Sequence, residues 1–228
     1  MLTAWAAAAD DAMLTWTKLS SKQGELPAPG PSTEQTGAMV GDLDKDGVND
    51  FLITARQAAP AILWYRRSKG KWAKYVVEDQ LVPVEAGGTL ADVDGDGDLD
   101  IIAGADYSDN HVWWWENPYP NFDPRVPWNR HVIKNSGKGQ HHDLLVGAFD
   151  GDPKPELVFW NQGALKLYLA RFPHAQGTRS RGRIARFSRP RRSPKGWPAS
   201  IWMAMGWKTS WAAEAGSNTM RTAHLPRM

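Results

Sequence analysis

Between Thr36 and Ala170 the apolar positions fall in short runs of β-branched and aromatic residues, each bounded by Gly, Asp, Asn, Pro or Lys. No 3.6-residue spacing runs through this region, so the pattern predicts strands rather than helices. The runs recur. Ala61-Ile-Leu-Trp-Tyr65 matches His111-Val-Trp-Trp-Trp115 and Leu165-Lys-Leu-Tyr-Leu169, and Lys74-Tyr-Val-Val77 matches Arg130-His-Val-Ile133. Each set is preceded by an acidic stretch: Gly37 to Ile53, Gly88 to Ile102 and, more weakly, Asp143 to Phe159. Equivalent positions are Asp42, Asp92 and Ala148, a period of about 50 residues, which suits one four-stranded unit of a repeat architecture. The first two units each offer four short strands separated by turn residues, the pattern of an antiparallel sheet.

This periodicity divides the chain into 1–35, an N-terminal segment and linker; 36–171, the repeats; and 172–228, a tail without repeat grammar. The expected fold is all-β: a partial β-propeller of about three blades, each a four-stranded antiparallel sheet, with a disordered C-terminal tail. Thr15-Trp-Thr-Lys-Leu19 reads as an orphan fourth strand, of the kind that closes the ring in propellers. The Pro- and Gly-rich stretch from Leu26 to Ser32 reads as the linker into the first unit.

The acidic stretches carry the candidate chemistry. The pattern Asp-x-Asp-x-Asp-Gly-x-x-Asp is filled by Asp42, Asp44, Asp46 and Asp50, and again by Asp92, Asp94, Asp96 and Asp100. Four carboxylates so close together repel unless a hard cation neutralises them, and Ca²⁺ takes six to eight oxygens in a flexible geometry. Gly47 and Gly97 permit the sharp turn. The carbonyls of Val48 and Asp98 are expected to add backbone ligands, and Asp50 and Asp100 to reach back from the next strand. An EF-hand begins similarly, but needs Glu at its twelfth position and flanking helices. Ile53 and Ala103 stand at that position, between strand-like flanks. The competing reading is a solvated acidic hairpin without metal.

These residues resemble the FG-GAP/VCBS repeat family, over about Thr36 to Ala170. The resemblance implies a propeller holding Ca²⁺ in the hairpin between the first two strands of a blade. The third copy departs from the pattern. Ala148 removes the first ligand, Pro153 replaces the turn Gly and Glu156 replaces the last Asp, so Asp150, Asp152 and Glu156 are expected to bind metal weakly or not at all.

Composition narrows the function further. The 228 residues carry a formal net charge of +2, which gives no whole-chain reason to expect nucleic acid, and contain no Cys, which removes disulfides and Cys-ligated zinc. No apolar run approaches the ~18 residues of a membrane span. Met1 to Ala9 reads either as the end of a signal peptide or as an ordinary disordered start. The tail after about Arg171 is rich in Arg, Ser, Pro and Trp. Trp202, Met203, Met205 and Trp207 have single codons, so the DNA there is nearly fixed. The frame starting at the last base of the Ser200 codon permits Asp-Leu-Asp-Gly-Asx-Gly, another acidic loop. The expectation is a frameshift between about Arg171 and Trp197, with a fourth repeat in the lost frame.

Nucleophile-elbow, Walker and Rossmann signatures are absent, and Ser136-Gly-Lys-Gly139 is too short for a phosphate loop. His141, His142 and Asp143 are the catalytic candidates, with His142 foremost; His111 and His131 read as packing residues. Trp113, Trp114 and Trp115 alternate faces of a strand and serve either inter-blade packing or a sugar-binding surface. The loop Glu116 to Pro124 is either a ligand contact or a rigid linker. The resulting expectation is a non-catalytic, extracytoplasmic Ca²⁺-binding module whose partner is a protein or polysaccharide, with neither nucleic-acid binding nor membrane insertion. The alternative is a carbohydrate-active enzyme, such as a polysaccharide lyase, using His142.

Overall fold

In a computed structural model the chain is described over residues 17–149, 151 and 153–172. It is all-β there, apart from one 3₁₀ turn at Ser21–Gln23. The first sheet contains β1 (Gln35–Gly41), β2 (Asp50–Ala55), β3 (Ile62–Ser68) and β4 (Lys71–Glu78), hydrogen-bonded in chain order. The second repeats this with β5 (Thr89–Ala91), β6 (Asp100–Gly104), β7 (His111–Glu116) and β8 (Asn129–Asn135). The third contains β9 (His141–Gly147), β10 (Glu156–Asn161) and β11 (Lys166–Arg171). Every pairing is antiparallel. The repeated apolar runs thus become the third strand of each unit and the fourth strand of the first two, and the acidic patterns become the loops joining the first two strands; the four strands expected of each unit are present in the first two sheets, while the third has three among the described residues.

The sheets pack in chain order. One apolar core joins the first sheet to the second, with Leu52, Ile62, Trp64 and Val77 against Ile101, Ala103, Trp113 and Trp115. Another joins the second to the third, with Ile102 and Val112 against Leu144, Leu157 and Phe159. The Trp triplet serves both. Trp113 and Trp115 are buried toward the first sheet, while half-buried Trp114 faces the second core. This is the consequence of strand alternation, and it gives all three rings a packing role. The leading strands also approach one another, β1 against β5 and β5 against β9.

Polar ties fix these contacts. Glu78, buried at the end of β4, accepts from Trp115 Nε1 at 3.1 Å and Arg130 Nη1 at 2.7 Å across the first interface. At the second, fully buried His141 contacts the Ala105 carbonyl through Nδ1 at 3.3 Å and Asn161 Nδ2 through Nε2 at 3.0 Å. His141 is therefore a packing residue. Burial, with Lys134 nearby, pushes its imidazole pKa down to about 4. His111 stacks on Trp113 and His131 on Trp114, as expected of packing residues.

Thr17 to Leu19 form no strand, and Thr15 and Trp16 lie outside the described residues. So do Asp150, Asp152 and residues 173–228, which carry the tail and reading-frame expectations except at Arg171, in β11, and Phe172, which is buried in the second core.

Candidate metal centre

Both full acidic loops lie at the same end of their sheets, between the first and second strands. Their backbone turns on Gly47 and Gly97, with φ of +85° and +89°, a region that side chains with a Cβ disfavour. The carboxylates fold inward onto the loop's own N–H groups. In the first loop Asp42 accepts from Asp46 N at 3.1 Å and Gly47 N at 2.9 Å, and Asp46 accepts from Val48 N at 2.9 Å. In the second, Asp92 accepts from Gly95 N at 2.7 Å and Gly97 N at 3.1 Å, and Asp96 accepts from Asp98 N at 3.2 Å. The same residue spacing thus yields the same backbone path.

Carboxylate oxygens of Asp42, Asp44 and Asp46 lie within 4.8 Å of one another, as do those of Asp92, Asp94 and Asp100. Either group could hold a metal ion. The two trios differ at one member, Asp46 in the first and Asp100 in the second. Asp50, unlike Asp100, is held by a tryptophan: Trp64 Nε1 donates to Asp50 Oδ2 at 2.9 Å.

The last carboxylate of the pattern has a second job that the sequence reading missed. Asp100 accepts from Val93 N and Asn117 N, both at 2.9 Å. Asp50 accepts from Arg67 N at 2.7 Å and from Leu43 N. In the third unit Glu156, also buried, accepts from Phe149 N at 2.8 Å. Each therefore ties the N–H beside the first pattern position to the second strand. In the first two units it also ties the third strand. This tie survives in the third copy, where the first and last pattern residues have changed. The repeated N–H after position one and the acid at position nine were visible in the sequence as a spacing, but not as a bond.

Burial raises the carboxyls of the second loop. It pushes Asp100 up to about 8, against the pull of Asn117 N–H and Val93 N–H. It pushes Asp98 up to about 7, with Asp96 and Asp94 adding to the rise and Lys45 opposing it. Burial and the neighbouring Asp96 carboxylate also raise Asp94. Asp98 was assigned only a backbone ligand from sequence, yet its side chain is 4% exposed and its Oδ1 meets no hydrogen-bond donor. Val48, the counterpart in the first loop, is 40% exposed.

Two further residues separate the loops. Arg66, near the end of β3, donates through Nε to Asp44 Oδ2. Its counterpart at the end of β7 is Glu116, whose charge bears on Asp94. The long loop from Glu116 to Pro124 connects the two sites. Asn117 Nδ2 donates to the carbonyls of Leu43 at 2.9 Å and Leu99 at 3.0 Å, so one amide spans both acidic loops. Tyr119 lies under Lys45, with Nζ 4.5 Å from the ring centroid, and Phe122 packs on Trp64. This loop thus has a structural role in bracing the first acidic loop.

The catalytic candidate His142 lies at the start of β9, away from both acidic loops. Its Nε2 is enclosed without a hydrogen-bond partner and stands 3.9 Å from Glu85 Oε2. Glu85 is in turn held by Arg56 Nη1 at 3.1 Å and by Ala86 N at 2.8 Å.

No family model and no curated protein matches the chain.

Proposed function

We propose that the chain is a Ca²⁺-binding β-propeller module of non-catalytic character, acting outside the cytoplasm in adhesion or in binding a protein or polysaccharide. Its three sheets are read as consecutive blades, with β1, β5 and β9 as the leading strands around the axis. The observation that carries the cation reading is Asp98 Oδ1. It is a buried carboxylate oxygen without a donor, crowded by Asp96 and Asp94 in a loop whose other acids already face inward. A buried carboxylate without a partner is costly to ionise, and a hard cation is a species that lowers that cost. All the side-chain donors are carboxylate oxygens, the donor set Ca²⁺ prefers. The weak affinity typical of extracellular Ca²⁺ modules, about 10⁻⁴–10⁻³ M, suits a Ca²⁺-rich exterior.

The test is calorimetry of the full chain titrated with Ca²⁺. The expected outcome is uptake of about two ions at millimolar or lower concentration, with a rise in melting temperature. No uptake at millimolar Ca²⁺ overturns the reading.

A second reading is motivated by His142. Its enclosed Nε2 next to Glu85 has the composition of a proton-abstracting pair, as a polysaccharide lyase requires. Unsaturated products from an acidic polysaccharide, lost in His142→Ala, would replace the binding reading with this one.

A further inference from the structure

Arg66 and Glu116 occupy equivalent positions one residue beyond an aligned pair, Phe51 with Tyr65 in the first sheet and Ile101 with Trp115 in the second. Each lies beside the third position of its acidic loop. There the first loop meets a guanidinium and the second meets another carboxylate. The Asp44 side chain is only 1% exposed and that of Arg66 30%, so their ion pair is partly shielded from water. Shielding strengthens the attraction, and a guanidinium stays charged throughout the ordinary pH range. Arg66 therefore competes permanently for one of the oxygens that a metal ion in the first loop needs.

The second loop has the opposite balance. Asp98 and Glu116 add carboxyl groups to the four acids of the pattern, where the first loop has Val48 and Arg66. Asp98 Oδ1 meets no donor. Lys45 offsets part of this acidic excess, but its ammonium is drawn over the Tyr119 ring, and Glu116 is shared with His131 Nε2 at 2.8 Å.

We propose that the loops fill in order: the Asp92–Asp100 loop takes Ca²⁺ first, and the Asp42–Asp50 loop fills only as the ion displaces Arg66 from Asp44. This rests on the Ca²⁺ reading above. Arg66 acts as a tethered internal cation that sets the threshold of the first loop. It has an alternative position at hand, because its Nη1 already reaches Tyr75 Oη at 3.4 Å and its guanidinium lies 5.8 Å from the Phe122 ring centroid. Filling of the first loop is thereby transmitted to the segment that braces it. The result is a graded response in which one site is occupied at low Ca²⁺ and the other reports high Ca²⁺.

The experiment is a Ca²⁺ titration of the full chain at neutral pH, by calorimetry, with four variants. The wild type should show two steps separated by about tenfold or more, the scale set by removing one partly shielded charge pair. Asp94→Asn should remove the tighter step and Asp44→Asn the weaker. Arg66→Gln should tighten the weaker step by about tenfold and leave the tighter one in place, whereas Arg66→Lys, which keeps the charge, should not. An unchanged weaker step in Arg66→Gln, or loss of the weaker step in Asp94→Asn, overturns the order. Should Arg66→Gln fail to fold, the wild type still decides by NMR. The Arg66 Nε–H resonance must move with the second equivalent of Ca²⁺ and not the first. Absence of any uptake by the wild type instead overturns the Ca²⁺ reading itself, which a single-step uptake of two ions does not.

Discussion

The Asp42–Asp50 and Asp92–Asp100 loops follow the same backbone path and are neutralised differently. In the first, Arg66 occupies Asp44 and Trp64 Nε1 occupies Asp50, so the protein supplies its own counter-charge and donors. In the second, Glu116 replaces the arginine, Asp98 is buried without a donor at Oδ1, and Asp100 is held by the backbone N–H groups of Val93 and Asn117. One loop is built to be tolerable without a cation. The other crowds its carboxylates with fewer donors. The pattern that makes both turns therefore does not fix how they are neutralised; that differs with Arg66 or Glu116 on the third strand and with Val48 or Asp98 within the loop.

The largest effect expected from this contrast lies at the ninth pattern position. Asp50→Ala removes the acceptor for Trp64 Nε1, Arg67 N and Leu43 N, while Asp100→Ala removes it for Val93 N and Asn117 N. Each orphaned buried donor costs about 1–3 kcal/mol. Without Ca²⁺, both variants should melt well below the wild type, with Asp50→Ala the lower. With Ca²⁺ in excess, Asp100→Ala should become the lower, because it also loses a ligand. Thermal unfolding with and without chelator checks both orders. An order that stays the same in both conditions breaks the distinction between a tied loop and a cation-dependent one.

Acid separates the scaffold from the loops. His141 is fully buried, and its pKa is pushed down to about 4 by burial and the nearby Lys134, against an ordinary value of 6.5. The unfolded chain therefore binds the proton more readily than the folded one. His141's share of the stability is complete above pH 6.5 and falls as the pH drops toward 4, by about 3 kcal/mol over that window, while the raised Asp98 and Asp100 carboxyls act in the opposite sense. The group sits between the second and third sheets, away from the acidic loops. Asp44→Asn, which leaves His141 and the second loop's carboxyls in place, should thus share the wild type's acid response while differing from it in the response to Ca²⁺ at pH 7. Chemical denaturation at pH 5 and pH 7 measures the acid response. An acid response that differs between Asp44→Asn and the wild type would mean that the first loop's carboxylates also govern acid stability.

Most of the strand architecture was legible because strands of this kind leave a two-residue alternation bounded by turn residues, and the acidic loops leave fixed spacings. The runs 61–65 and 111–115 lie in the aligned third strands, and the Trp triplet packs on both faces as alternation demands. The inequality of the two loops was not legible in the pattern itself. Arg66 and Glu116 lie sixteen residues beyond the ninth-position acid in each unit, and only the β2–β3 and β6–β7 pairings bring them back to the loop. The separate roles of His141 and His142 were hidden for a related reason. Adjacent strand residues face opposite ways, and which of the two becomes buried depends on the neighbouring sheet.

The smallest expected effect tests the contrast most directly, because it converts one loop toward the other. Asp98→Val gives the second loop the residue found at Val48. It removes a buried carboxylate with an unpartnered oxygen, and with it the repulsion from Asp96 and Asp94. In chelator the variant should therefore be more stable than the wild type, by about 1–2 kcal/mol, since a buried charge without a partner is replaced by an apolar side chain of similar size. Its tighter Ca²⁺ step should weaken at the same time, moving toward the weaker one. Stability and affinity thus move in opposite directions in a single substitution. Thermal unfolding in chelator and Ca²⁺ calorimetry on the same preparation measure the two. A variant that gains stability and keeps its affinity would place Asp98 outside the cation's reach, leaving Glu116 as the side chain that distinguishes the second loop from the first.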